Sequence, residues 1–118
     1  MKDATVIPVA QVVGGPFAVS SEDGQLVYDQ VICLLGEGHR VVLSFTGIET
    51  LISAFLNAAI GQLYGSVSEL EIREKVSVTG LSDYDLDLLK RVVDNAKRYF
   101  ANPDRFDRSW REDLSAAE

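Results

Sequence analysis

The sequence predicts a single domain of the α/β class, and three neighbouring features of the chain support this prediction. Residues 41–45 form an apolar run that is typical of a buried strand. A short polar turn follows, and apolar residues then recur at spacings of three and four after Ser53. A buried strand that leads through a short turn into a helix is the core of an α/β unit.

The first part of the chain predicts an edge strand and a helix. Residues 5–10 indicate a strand, and Pro8 restricts it to an edge because proline has no N–H group to donate to a neighbouring strand. Residues 17–19 are a second, optional edge strand. A serine of the pair Ser20-Ser21 is the predicted N-cap of a helix that ends at Gly36-Glu37-Gly38.

The second part of the chain predicts two further strands and two further helices. Residues 40–45 are the predicted most buried strand, and the helix that opens at Ser53 runs to about residue 64. Residues 70–76 alternate apolar and charged side chains, which indicates a half-exposed strand lying parallel to 40–45. Ser82 then opens the clearest amphipathic helix of the chain.

The composition limits the classes of function. The chain has 118 residues, a formal charge of −7 and a pI of about 4.6, so it repels nucleic acid and anionic membrane surfaces. It has no apolar run long enough to span a bilayer and no signal peptide, and we expect a cytoplasmic protein. Cys33 is the single cysteine and is expected to be a packed small side chain, and no zinc-type spacing occurs.

We assign residues 1–102 to the domain and residues 103–118 to a charged C-terminal tail. Phe106, Trp110 and Leu114 recur at a spacing of four in this tail. They could form a short helix that docks on the domain's own surface or on a second copy, which would make a homodimer.

Several motifs taken together resemble a known family. They are Gly15-Pro16-Phe17, Asp23-Gly24-Gln25, VVLSFTGIE, SAFLNAAIGQLYG and LSDYDLDLLKRVVDNAKRYF. They are similar to the STAS-like domains of unknown function, which resemble the sulfate transporter and anti-sigma factor antagonist superfamily. The resemblance covers residue 15 to about residue 102. It implies a small mixed sheet with about three helices packed mainly on one face, and a non-catalytic regulatory or signalling role in bacteria.

The resemblance also implies a regulatory serine. Anti-sigma factor antagonists carry an Asp-Ser-Ser-Gly turn whose first serine is the phosphoacceptor, and Ser53 occupies that position here. The neighbouring residues differ, because the chain reads Ile52-Ser53-Ala54-Phe55. The residues alone favour a different role for Ser53, that of a helix N-cap worth about 1 kcal/mol.

A surface for a protein partner is predicted around this turn, because strand-to-helix loops of α/β units are where ligands dock. The candidate residues are Thr46, Gly47, Glu49, Thr50, Ser53 and Asn57. The resemblance suggests a histidine-kinase-like ATPase or an effector protein as the partner. We expect no enzyme activity, no cofactor and no metal, since no nucleotide-binding fingerprint or catalytic arrangement is present. The alternative is a sensor of a small anion or ligand, with a closed apolar pocket beside Ser53.

Overall fold

A computed structural model describes residues 4–101, which contain five strands in two parallel sheets. The strands are β1 (Ala4–Pro8), β2 (Phe17–Ala18), β3 (Arg40–Ser44), β4 (Thr50–Leu51) and β5 (Val76–Thr79). The larger sheet has the order β1-β3-β5, and β2 pairs with β4 in the smaller one. The α/β class is confirmed, although the described strands form two parallel sheets and not one mixed sheet.

The strands alternate with helical segments. These are α1 (Val9–Val13), α2 (Ser21–Gly36), α3 (Ser53–Leu56), a π-helix (Asn57–Gly61), α4 (Leu63–Ser66), α5 (Glu69–Lys75) and α6 (Asp83–Phe100). The predicted caps of the two long helices are present, because the Ser20 and Ser82 hydroxyls accept hydrogen bonds from Asp23 N at 3.0 Å and Asp85 N at 3.1 Å. Local sequence signals therefore set the starts of α2 and α6 correctly.

The three-stranded sheet buries one of its two faces among the described residues. Val41 and Leu43 of the central strand and Ile7 of β1 are at most 2% exposed. On the opposite face, Val6 is 57% exposed, and Ser77 and Thr79 are exposed as well. The prediction that residues 40–45 include the most buried strand of the sheet is confirmed, and β1 lies at the expected edge.

The predicted strand at residues 70–76 is wrong, since Glu69–Lys75 is the helix α5. The Ser68 hydroxyl caps it by accepting a hydrogen bond from Glu71 N at 3.2 Å. Ion pairs between residues four apart then connect Glu69 to Arg73 and Glu71 to Lys75. The parallel neighbour of β3 is the following segment, Val76–Thr79. The cap and the ion pairs are local helix signals that the short apolar alternation concealed.

The helical stretch from residue 53 to 66 packs closely against α2. A Cβ built on Gly24 of α2 would lie 2.5 Å from the Phe55 carbonyl oxygen and 2.8 Å from the Ala58 Cβ. Only a glycine lets the two backbones approach this closely. The helix widens into a π turn at Asn57–Gly61, and this turn also packs against α2.

The assignment of residues 103–118 to a separate tail concerns residues outside the described range. The same holds for Phe106, Trp110 and Leu114. The boundary at residue 102 stays a prediction. The last described helix, α6, ends at Phe100.

Candidate functional site

The segment between β3 and α3 contains four of the predicted partner-binding residues, and all four are exposed: Thr46, Gly47, Glu49 and Thr50. Gly47 has a φ of +88°, a left-handed conformation that favours glycine. The Glu49 N–H donates a hydrogen bond to the Pro16 carbonyl at 2.7 Å, and Thr50 pairs with Phe17 across the small sheet. Backbone hydrogen bonds therefore attach this loop to the segment before α2.

A second close approach fixes the other side of this loop. Gly80, between β5 and α6, has a φ of +81°, and a Cβ built there would lie 2.7 Å from the Thr46 backbone nitrogen. The Phe45 N–H donates to the Thr79 carbonyl at 2.9 Å. The start of α6 consequently lies beside the predicted site, although α6 was not among the predicted site elements.

Ser53 lies at the start of the helix as predicted, but it is not the N-cap. Ile52 is the cap residue, because its backbone is extended and its carbonyl accepts the Phe55 and Leu56 N–H groups at 3.1 and 3.3 Å. Ser53 is the first helical residue, and its hydroxyl makes no hydrogen bond within the described part of the chain. The predicted capping contact of Ser53 is therefore absent in the described part of the chain. Its partly buried hydroxyl can form a hydrogen bond with a ligand or be modified.

Ser53 and Asn57, four residues apart along the helical stretch, line a groove together with one face of α6. The groove is open, has a volume of about 320 Å³ and is lined also by Leu88, Arg91, Val92 and Asn95. The alternative hypothesis of a closed apolar pocket is not met, because four of the six lining side chains are polar or charged. The contribution of α6 depends on tertiary packing and has no local sequence signal.

Two exposed apolar side chains adjoin the predicted rim, and the sequence did not single them out. Phe17 is 56% exposed and Ile52 is 41% exposed. The register of β2 and β4 and the extended backbone of Ile52 place both side chains on the same face of the small sheet as Thr50. The Ile52 N–H continues the ladder by donating to the Ala18 carbonyl at 3.1 Å. The signal that could have identified Phe17 and Ile52 is that each is a large apolar residue at an outward-facing position of extended backbone.

The electrostatic contacts of the described chain concentrate on a cluster that joins α4, α5 and α6. Lys97 Nζ lies 2.9 Å from Glu69 Oε2 and 6.0 Å from the centre of the Tyr64 ring. The hydrogen bond and charge of Lys97 lower the pKa of the Glu69 carboxyl, and the same hydrogen bond raises the pKa of Lys97. Burial raises the pKa of Tyr64. None of these residues lines the Ser53 groove, so the cluster serves to hold helices together.

The remaining reactive side chains do not converge on a metal centre in residues 4–101. Cys33 is exposed, contrary to the expected packed position, and its thiol lies 3.9 Å from Glu37 Oε2. His39 Nε2 lies 3.6 Å from Glu37 Oε1. In the same range, no helix is both long enough and apolar enough to cross a bilayer.

The fold and the site together define a small α/β domain that presents a strand-to-helix turn and a polar groove at one end of its sheets. The family model described as STAS-like domain of unknown function matches residues 23–86, which is more than half of the chain. The chain belongs to this family of STAS-like domains. The match begins within α2 and ends within α6, and it includes Ser53 and Asn57. Neither the curated proteins nor the solved structures gave a significant match.

Proposed function

We propose that the protein is a non-catalytic regulatory or signalling module of the bacterial cytoplasm that binds another protein through the turn around Thr46–Ser53 of its fold. The partner class that the family resemblance favours is a histidine-kinase-like ATPase or an effector protein. Ser53 is the proposed point of regulation. Membership of the STAS-like family supports a regulatory role, and the surface beside the turn supports protein binding.

The observation that carries the proposal is the exposed apolar pair Phe17 and Ile52. Each adjoins the predicted rim at Thr50, and each leaves a large apolar side chain in water at 56% and 41% exposure. Aromatic and aliphatic side chains at the centre of a contact surface supply most of the binding free energy, while polar residues around them exclude water. Glu49 and Thr46 are suited to that surrounding role because both are exposed and polar.

The charge of the chain indicates the kind of surface that would face it. The formal charge is −7, and Asp83 and Asp85 lie in the first turn of α6, next to the loop that contains Thr46. A partner surface with basic side chains around an apolar centre would complement this arrangement and speed association.

The test begins by recovering the partner with the intact protein and continues by calorimetric titration of that partner. Phe17→Ser and Ile52→Ser should each weaken binding at least tenfold, which corresponds to about 1.4 kcal/mol. Leu70→Ser is the matched control, because Leu70 is 62% exposed but lies on α5, outside the predicted surface. Equal affinities for all three variants would refute this binding surface.

A second candidate function, a sensor of a small anion, is favoured by the lining of the groove. Arg91, Asn57 and Asn95 supply N–H donors beside the Ser53 hydroxyl, which has no hydrogen-bond partner among residues 4–101. A sensor would respond to a free phosphate or carboxylate with a rise in thermal midpoint that saturates with concentration. An unchanged midpoint up to millimolar anion would exclude this second candidate.

A further inference from the structure

We propose that the groove between Ser53, Asn57 and α6 receives a phosphoryl group carried by Ser53, and that Arg91 is the counter-ion of that group. The inference deepens the proposed function and rests on its assumption that Ser53 is the regulated residue. It adds a second element, α6, that detects the modification. The site is the set of side chains lining the groove, since α3 by itself is only four residues long.

The Ser53 hydroxyl is available for modification in the described structure. It lines an open groove, it is partly exposed, and it has no hydrogen-bond partner within residues 4–101. The groove volume of about 320 Å³ is roughly ten times the volume that one water molecule occupies in the liquid, which is enough room for a phosphoryl group.

The modification step needs a phosphoryl donor, which is a nucleoside triphosphate bound to a separate kinase. The Ser53 Oγ attacks the γ-phosphorus and forms a new P–O bond, while the bond from that phosphorus to the oxygen bridging it to the β-phosphate breaks. The nucleoside diphosphate leaves with the bond's electron pair, and the hydroxyl proton passes to a base of the kinase. No electron transfer is involved.

Arg91 has the chemistry that a phosphoryl group requires. A guanidinium presents N–H donors in a planar fork that matches two phosphate oxygens, and the side-chain amides of Asn57 and Asn95 add further donors. Within residues 4–101 Arg91 takes part in no ion pair, although Asp87 and Asp94 lie one turn away on the same helix. Its positive charge is therefore not already neutralised by an ion pair in the described chain.

The negative charge of the chain favours a local counter-ion for a phosphoserine at this position. The chain already carries a formal charge of −7, and a phosphoserine adds about −1.5 to −2 at neutral pH. The helical stretch 53–66 has no charged side chain of its own, and the cationic side chain among the groove-lining residues is Arg91 of α6. Leu88 and Val92 line the groove with apolar atoms, while Arg91 itself is exposed, so solvent partly screens the attraction between Arg91 and the phosphoryl group.

The experiment places phosphoserine at position 53 by genetic encoding and follows the ³¹P shift of the isolated full chain against pH. With Arg91 present, the second pKa of the phosphoserine should lie at least 0.5 below its ordinary value of about 6. Arg91→Gln should return it to about 6, and Arg91→Lys should leave it lowered in part. Arg98→Gln is the matched control, because Arg98 is an exposed arginine of α6 outside the groove and should leave the pKa where the unsubstituted protein has it.

Two results would overturn the proposal. One is a phosphoserine pKa that Arg91→Gln does not change. The other is a rise in the thermal midpoint of the unphosphorylated protein with inorganic phosphate that depends on Arg91, which would make the occupant a free anion. Both measurements use the protein without a partner, so they fail or succeed independently of the titrations with Phe17→Ser and Ile52→Ser.

Discussion

At the scale of single residues, Ser53 differs from the serines that begin the other helices. Ser20, Ser68 and Ser82 each accept a hydrogen bond from the backbone N–H three residues later. Ser53 is displaced by one position, because Ile52 has the extended backbone and the accepting carbonyl of a cap. Its hydroxyl thus contributes to the groove and not to the start of the helix.

Replacing these serines should separate the two roles. Ser82→Ala removes a capping hydrogen bond and should lower the free energy of unfolding by about 1 kcal/mol. Ser53→Ala removes no hydrogen bond of the described chain and should change it by less than about 0.5 kcal/mol. Chemical denaturation of both variants measures the difference. A loss of about 1 kcal/mol for Ser53→Ala would restore Ser53 as a cap.

An acidic side chain at the same position tests the response of the groove. Ser53→Asp places a carboxylate in the first turn of the helix and beside Arg91, so the folded state should be kept or gain up to about 1 kcal/mol. The same variant should bind the recovered partner less tightly than Ser53→Ala, because a charge in a protein interface must lose its water. Calorimetric titration compares the two, and equal affinities would remove Ser53 from the binding surface.

At the scale of elements, the closest packing joins α2 to the helical stretch at residues 53–66. Gly24 permits the contact, and the π turn begins at Asn57, one turn after Ser53. Single π turns inside helices frequently occur at functional sites. Here the turn lies between the α2 contact on one side and the groove with α6 on the other, so the groove geometry depends on this packing.

Substituting glycines at two places in α2 should give opposite results. Gly24→Ala places a Cβ within 3 Å of the Phe55 carbonyl oxygen, and it should cost about 1–3 kcal/mol despite the better helix propensity of alanine. Gly36→Ala has no atom within 4 Å of the added Cβ and should be neutral or stabilising by up to about 1 kcal/mol. Thermal unfolding measures both. An unaffected midpoint for Gly24→Ala would show that the two helices can separate at little cost.

At the scale of the whole molecule, α6 is attached at both of its ends. Its start lies beside the Thr46 loop, and Lys97 near its end contacts Glu69 of α5. Lys97 comes two residues after the groove residue Asn95 but does not itself line the groove. Stability can therefore be tested at that end with variants that leave the groove residues unchanged.

The pH dependence of stability should report this ion pair. The lowered pKa of Glu69 adds stability that is complete above its unfolded value of 4.5 and is lost as the pH falls through the folded pKa. The raised pKa of Lys97 adds stability that is complete below 10.5 and is lost as the pH rises further. In a plot of thermal midpoint against pH, Glu69→Gln should therefore make the decrease below pH 4.5 less steep.

Glu74→Gln is the control for this measurement, since Glu74 is an exposed glutamate of the same helix with no ion pair in the described structure. It should leave the acid side of the curve unchanged. Both groups of the Glu69–Lys97 pair are solvent-exposed, so the effect should be small and should shrink with added salt. Identical curves for the two variants would contradict the assigned role of Lys97.

The sequence predicted those parts of the fold that local patterns determine. Ser20 and Ser82 mark helix starts by cap chemistry, and residues 40–45 mark a buried strand by continuous apolarity. The helix Glu69–Lys75 was missed because a seven-residue segment is too short for its periodicity to distinguish helix from strand. Its helical signals are a cap at Ser68 and ion pairs between residues four apart.

The candidate site was predictable only in part, because half of it comes from contacts between distant segments. The turn and the spacing of Ser53 and Asn57 follow from the strand–turn–helix order. Phe17 reaches the site by pairing with Thr50, and Arg91 reaches it by the packing of α6. No periodicity or motif encodes either contact, since both depend on tertiary structure.

The strand pairing also influences the order in which the helices and sheets can form while the chain is being synthesised. Every described pair joins strands more than thirty positions apart, and none is a hairpin. Such pairings pay for closing a long loop before any ladder bond forms, so helices should appear first and the sheets late. The central strand must wait for β5 for roughly 2–7 s at ribosomal rates of 5–20 residues per second. During that interval the unpaired backbone N–H and C=O groups along one edge of the nascent central strand are open to chaperones and to aggregation.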